Sequence, residues 1–239
     1  MSEYLKPLSP SSINLFRECS YKFYLKYIRG IKFESGEAAN FGKCIHKILE
    51  NFWVEYSICK DIDKAIQISS DKHWDKNIGE EYNIPAHECL NNAISIIKER
   101  PMILPLYIEY SCLNTDNNTI AIIDLVMSNQ IIDYKTGKNF TKNPKEPNII
   151  QAVMCSMNLE KVSGKRIRDV EFEYIKFKKY QQIEITDTLI NEIENIIIDI
   201  REKIERGEFP KNEKNCFFCD YKLICEVEKR LIKKRMKNV

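Results

Sequence analysis

Two aspartates and a lysine share the apolar stretch Ile120 to Gly137, IAIIDLVMSNQIIDYKTG. If Ser128-Asn129 form a two-residue turn, this stretch is a β-hairpin in which facing residue numbers sum to 257. Asp124 then lies directly opposite Asp133, with Cβ atoms roughly 4.5–5.5 Å apart. Alternation along a strand puts Asp133 and Lys135 on one face and Tyr134 on the other. Like charges opposed in a sheet destabilise it, and burial enlarges the penalty. Two arrangements would offset it. A divalent cation such as Mg²⁺ or Mn²⁺ suits hard carboxylate oxygens, and Lys135 would then orient a water or stabilise charge on a phosphoryl oxygen. Alternatively, Lys135 bridges both acids and no metal is needed.

The elements around this hairpin follow from periodicity and punctuation. Ser9-Pro10 starts an amphipathic helix over 10–28, with Ile13, Phe16, Phe23 and Tyr27 on one stripe. A second helix, about 37–57, aligns Phe41, Ile45, Ile48, Leu49, Phe52 and Tyr56, with His46 at the edge of the stripe. Residues 60–76 and 86–99 also read as helices. From Ile103 the pattern changes to strands, and Glu109 in the first of them reads as an exposed strand residue in preference to an extra acid of the hairpin site. Pro147 precedes a helix over roughly 148–160 that carries Gln151 near its start. Runs at about 169–178 and 181–186 form a second hairpin, and a long helix follows from Asp187 to Glu205. The layout is α/β, with a helical front, a strand-rich middle and a small terminal module. Its expected division is 1–210, with a helical insertion at about 58–102, and a cysteine module with a basic tail at 211–239.

Cys216, Cys219 and Cys225 form C-x₂-C-x₅-C, and Cys19 stands far upstream in FRECSYKFYL. Three clustered thiolates and one distant one can complete either a tetrahedral zinc site or an iron–sulfur cluster, and spacing does not choose between them. Cys44, Cys59, Cys89, Cys112 and Cys155 read as ordinary reduced cysteines, and His73 and His87 as surface residues.

Composition frames these motifs. At 239 residues, 44% hydrophobic and 30% charged, the chain is too apolar for disorder and long enough to bury a core. No apolar run approaches the roughly 20 residues that span a bilayer. The opening MSEYLKPLSP lacks a signal-peptide pattern, so the expected location is cytoplasmic, where nine cysteines are not a disulfide framework. The net charge of +2 divides unevenly: KRLIKKRMK at 229–237 holds six basic residues and no acid. Without them, 31 basic residues face 35 acidic ones, a formal −4. A basic end suits an anionic partner, or is simply a solvated helix end. Lys22, Lys26 and Arg29 interleave with Tyr21, Tyr24 and Tyr27; the pattern suits either phosphate tracking with base stacking or core aromatics with snorkelling cations.

Asp124 followed by Asp133-Tyr134-Lys135-Thr136-Gly137 resembles the PD-(D/E)XK nuclease superfamily, in particular its RecB/AddB-like branch. The resemblance implies a restriction-endonuclease-like core with a mixed sheet flanked by helices. It implies Asp124 and Asp133 as ligands of Mg²⁺ or Mn²⁺, joined by the Tyr134 carbonyl, and Lys135 as the water-orienting residue. FGKCIH, Phe41 to His46, is similar to the family's G-x-x-x-H element, which makes His46 a further ligand. Gln151 matches the Gln of Q-x-x-x-Y, though Cys155 stands where the Tyr would be. The cysteine layout resembles iron–sulfur members of this branch, including the CRISPR-associated adaptation exonuclease, and implies a [4Fe–4S] cluster on Cys19, Cys216, Cys219 and Cys225. Ser20 and Tyr21 depart from the branch's C-P-R element. The expected function is therefore a metal-dependent DNA nuclease, an exonuclease of DNA repair, phage DNA processing or CRISPR adaptation. Its partners are DNA and a helicase or CRISPR adaptation proteins, with no membrane. A DNA-binding or docking subunit that keeps the fold without catalysis, and a zinc-stabilised nuclease, are the alternatives.

Overall fold

The computed structural model describes residues 6–34, 36–75, 78–217 and 219–226, except the side chains of Asn83 and Asn215. The basic tail at 229–237 lies outside the described residues. The chain forms two compact units: Ser35–Ile193, and a terminal unit built from Met1–Glu34 with Glu194–Val239.

In the larger unit, α3 (Glu37–Cys59) starts behind Gly36 and ends where Lys60 adopts a left-handed conformation at φ 57°. It is followed by α4 (Ile62–His73), capped by the Asp61 side chain, and α5 (Asn83–Lys98). Five strands make one sheet in the order β1-β2-β3-β4-β5: Tyr107–Asn114, Thr119–Val126, Gln130–Lys135, Asp169–Tyr174 and Lys179–Glu184. All neighbours are antiparallel except β3 and β4. A parallel pair needs a crossover, and α6 (Glu146–Ser163) supplies it, with Pro147 in its first turn and Gly164 at φ 70° beyond its end. Ile150 and residues 152–159 of α6 are buried, as befits a helix laid on a sheet, and Gln151 is half-buried. On another face Ile45, Leu49, Phe52 and Trp53 of α3 pack in one cluster with Leu90, Ala93 and Ile97 of α5 and with Leu125, Ile132 and Tyr134.

The β2–β3 register is the one the turn implies. Leu125 faces Ile132 and Val126 faces Ile131, and the Met127 N–H donates to the Gln130 carbonyl across Ser128-Asn129. Other expectations need correction. The first strand starts at Tyr107, because residues 101–105, with Pro101 and Pro105, make no ladder before it. The helix of 60–76 ends at His73. The second hairpin turns earlier, through a 3₁₀ turn at Ile175–Phe177 with Lys178 left-handed.

In the terminal unit the expected single helix of 10–28 is three pieces. After α1 (Pro10–Glu18), Cys19 is extended at φ −164°, and α2 (Ser20–Phe23) runs into a π-turn at Tyr24–Ile28. The Ser20 hydroxyl donates to the Pro210 carbonyl, and the Tyr221 hydroxyl donates to the Ile31 carbonyl. Phe209 lies 6.2 Å from Phe16 and 5.0 Å from Tyr24. Lys22 pairs with Glu18 at 3.2 Å and Lys26 lies over Tyr27. The aromatics of this segment thus pack within the unit, to which α7 (Asp187–Glu205) contributes its residues from Glu194 on.

Beneath β4, Arg100 clamps two buried carboxyls: Nη2 lies 2.7 Å from Glu171 and Nη1 2.6 Å from Glu173. Burial, then Glu171, pushes the Glu173 carboxyl up to about 7 against the opposing pull of Arg100. Arg100→Met leaves two like charges buried without a counter-ion. The expected loss is about 2–3 kcal/mol in urea unfolding, below the cost of a lone buried charge because Glu173 can take up a proton. A loss within about 0.5 kcal/mol would show that the clamp is not needed.

Candidate active site

The site forms where α3, the ends of β2 and β3, and the first turns of α6 meet. Its opening is lined by Gly42, His46, Glu109, Asp124, Asp133, Lys135, Thr136 and Gln151. Both aspartates are buried, Asp133 to 4% exposure. The Asp124 carboxylate accepts the Tyr134 backbone N–H at 2.7 Å, and His46 Nδ1 lies 3.2 Å from the same carboxylate. Asp133 is held differently. Its Oδ2 lies 2.7 Å from Lys135 Nζ, and its Oδ1 accepts from Gln151 Nε2 at 2.6 Å. Lys135 Nζ also donates to Gln151 Oε1 at 2.7 Å and stands over the Phe172 ring. Asp133, Lys135 and Gln151 therefore close a three-membered polar ring on the α6 side.

Tyr134 points the other way, as alternation requires. Its ring is buried and its hydroxyl accepts the Trp53 indole N–H at 3.1 Å, so the strand is pinned from the opposite face. Burial raises the Tyr134 hydroxyl well above its usual range, so it stays neutral. Gly42 lets α3 come close: a Cβ there would lie 3.0 Å from Thr136 Oγ1. One turn along α3, His46 thereby reaches the carboxylates.

Glu109, for which the sequence favours an exposed strand position over an extra acid of the site, is half-buried and lines this opening. Donor atoms of His46, Glu109 and Asp124 all lie within 4.8 Å of one another. In the β1–β2 ladder facing numbers sum to 233, so Glu109 falls opposite Asp124; at φ 46° it leaves the ladder, which pairs Ile108 and Tyr110 on either side. Glu109, Asp124 and Asp133 are thus a row of acids across three strands. The signal was the turn Thr115-Asp116-Asn117-Asn118, which sets that register. Cys155, where the family pattern has Tyr, is buried, and desolvation raises its thiol well above the usual range. His87 is exposed against Trp74, and the His73 carbonyl accepts from the Cys44 thiol.

Electrostatics reflect the crowding of acids. Burial raises Asp133, opposed by Lys135 and reinforced by Asp124. Burial alone would lower His46, but its hydrogen bond to Asp124 and the charges of Asp124 and Asp133 outweigh this and raise it. Burial would also lower Lys135, yet Asp133 and Asp124 raise it, so the amine stays an ammonium. Burial, then Asp124 and Glu50, push Glu109 to about 7. A site that holds protons on oxygens packed this closely is one a divalent cation would fit, because oxygen donors plus one imidazole are its usual ligands.

The PD-(D/E)XK nuclease superfamily profile matches residues 7–226. The chain belongs to the PD-(D/E)XK nuclease superfamily. Members of this superfamily generally use divalent metals, and the row of acids in this nuclease fold offers such a site. Among solved structures it is similar to a candidate exonuclease from Eubacterium rectale, at TM-score 0.59 and 12% identity over 91% of this chain and 87% of that one. At that identity the likeness speaks for the fold. A search of curated protein sequences finds no match. No helix among the described residues is long and apolar enough to cross a membrane.

The Glu109 shift has a measurable consequence in protein stripped of metal with a chelator. A carboxyl raised in the folded state stabilises below its ordinary value of 4.5, and that contribution is lost as pH rises through about 7. The wild-type melting temperature should therefore fall across this window, and Glu109→Gln should flatten the fall. Glu173 acts with the same sign elsewhere, so the readout is the difference between the two proteins. Identical pH slopes would remove Glu109 from the raised set.

Proposed function

We propose that the protein is a metal-dependent deoxyribonuclease that hydrolyses phosphodiester bonds as an exonuclease. The observation that carries this reading is the joining of a close-set acid row to an ammonium kept charged beside it, in a single opening. His46, Asp124 and Asp133, with the Tyr134 carbonyl, would hold Mg²⁺ or Mn²⁺, and Glu109 is placed to join them. When bound, the cation supplies Lewis acidity toward the phosphate and lowers the proton affinity of an attacking water. The imidazole favours Mn²⁺ over Mg²⁺.

The chain's own groups do the rest. Lys135, held cationic by Asp133, is suited to stabilise charge on a phosphoryl oxygen and to orient the water, not to accept a proton. Gln151 donates to Asp133 and accepts from Lys135, so it fixes both side chains at once. Asp124 is anchored by the Tyr134 N–H, which fixes its carboxylate for the cation. End-labelled single- and double-stranded DNA incubated with Mg²⁺ or Mn²⁺ tests this. Asp133→Ala and Lys135→Ala should each lower cleavage by about 100-fold or more while leaving the protein folded. Variants that cut as well as the parent would refute the assignment and leave a DNA-binding or docking subunit.

The same reading places the protein in the RecB/AddB-like branch, with a structural [4Fe–4S] cluster on Cys19, Cys216, Cys219 and Cys225. These four line a cavity of about 310 Å³ within the terminal unit. Desolvation, then the charges of Cys219, Cys225 and Cys19, raise the Cys216 thiol, so the four sulfurs sense one another. The Asn212 N–H donates to Cys19 Sγ at 3.5 Å, the kind of contact that sulfur ligands of a cluster receive. Zinc held by the same four cysteines is the alternative reading of the module. A reducing cytoplasm would keep these thiolates available, and a helicase or CRISPR adaptation proteins would be the protein partners. Anaerobically purified protein should be coloured, with iron and sulfide in equal amounts, and Cys216→Ala should bleach it. A colourless protein with stoichiometric zinc would overturn the cluster.

A further inference from the structure

The two strands that run parallel, β3 and β4, end side by side, with Lys135 facing Tyr174. Each continues into a segment rich in lysine and free of acids. Residues 136–145, TGKNFTKNPK, carry Lys138, Lys142 and Lys145, and residues 175–179, IKFKK, carry Lys176, Lys178 and Lys179. All six lysines are exposed. None has a carboxylate within ion-pair distance among the described residues, whereas Lys47, Lys72 and Lys98 each do. The first acid after the loop is Glu146, in the first turn of α6.

The two segments are fastened to each other. Phe140 packs edge-on against Tyr174 at 5.1 Å and lies 6.5 Å from Phe177, and Lys179 Nζ stands over its ring. Gln181, buried on β5, donates to the carbonyls of Thr141 and Lys142, and Asn148 of α6 donates to Gln181 and to the Tyr174 hydroxyl. A loop of exposed lysines would spread by self-repulsion if left free. Here its backbone is tied down by a buried amide and an aromatic anchor, so the charges are held in place. The opposite lip differs: on α3, Lys47 is neutralised by Glu50.

We propose that these two loops form the phosphate track along which a DNA strand reaches the metal centre, entering over the carboxyl ends of β3 and β4 and not over α3. This rests on the nuclease reading above. Ammonium groups without carboxylate partners, on loops whose backbone is tied down and beginning three residues after the active-site lysine, suit a strand whose charges repeat along its length, and they carry no base preference.

The test uses the full chain and fluorescently labelled DNA. Lys138, Lys142 and Lys145 are changed together to Gln; the control changes Lys64, Lys72 and Lys98 to Gln, for the same loss of charge on α4 and α5. Binding is measured across salt concentrations with Ca²⁺ in place of the catalytic ion, and cleavage with Mn²⁺. The loop triple should raise KM at near-constant kcat and flatten the log K against log salt slope by about 2, at roughly 0.7–0.9 per lost contact. The control should move neither. If wild type cleaves and the loop triple matches the control, the track is wrong and the nuclease reading stands. If wild type neither binds nor cleaves DNA, both fall.

Discussion

Three carboxylates placed in a row across a buried sheet are the constraint on which the rest of the structure depends. Glu109, Asp124 and Asp133 occupy adjacent strands at one level, where low polarity magnifies their repulsion. Several neighbouring groups answer that repulsion, while Glu50 adds to it. Lys135 and Gln151 engage Asp133, the Tyr134 N–H and His46 engage Asp124, and Glu109 is driven toward its protonated form. Protons and an ammonium are a partial answer. A divalent cation neutralises more charge with oxygens already in position, which is why crowding that weakens a sheet is useful in a site.

The surrounding fold serves to keep this row from relaxing. Strands could splay and side chains rotate away, but Tyr134 is locked from behind through Trp53, and Arg100 secures β4 by its two glutamates. Gly42 permits the helix carrying His46 to close over the strand end without a clash at Thr136. The crossover helix α6 is buried at Ile150 and from Ala152 to Leu159, so its backbone is fixed on both sides of Gln151, which has little freedom to leave the ring. Rigid elements thus hold the acids, while the lysines stand on loops. That division is expected where chemistry needs fixed geometry and a long polyanion needs an accessible surface.

Much of the site was legible because a two-residue turn and period-2 alternation leave little choice of register. Ser128-Asn129 placed Asp124 opposite Asp133, and the same alternation sent Tyr134 to the core. Glu109 was not legible in the same way. Its strand joins β2 through a four-residue loop, and its left-handed backbone breaks the alternation that would have marked it as inward-facing. The first helix misled for a related reason. Its apolar stripe continues through Cys19, and periodicity carries no sign of a backbone that turns extended at one residue to present a thiol.

Sequence by itself determined the chemistry of the groups and their local order: a hairpin with opposed acids, a lysine two residues on, a histidine one turn past a glycine, and a cysteine triplet with a distant fourth. These follow from short-range rules of turn length and helical or strand period. Only the tertiary structure decided the partners. That Gln151 bridges Asp133 and Lys135, that Glu109 completes the acid row, and that two lysine loops are tied together at the ends of parallel strands all depend on segments distant in sequence. Such contacts are set by how helices and strands pack over one another, and no local pattern encodes that.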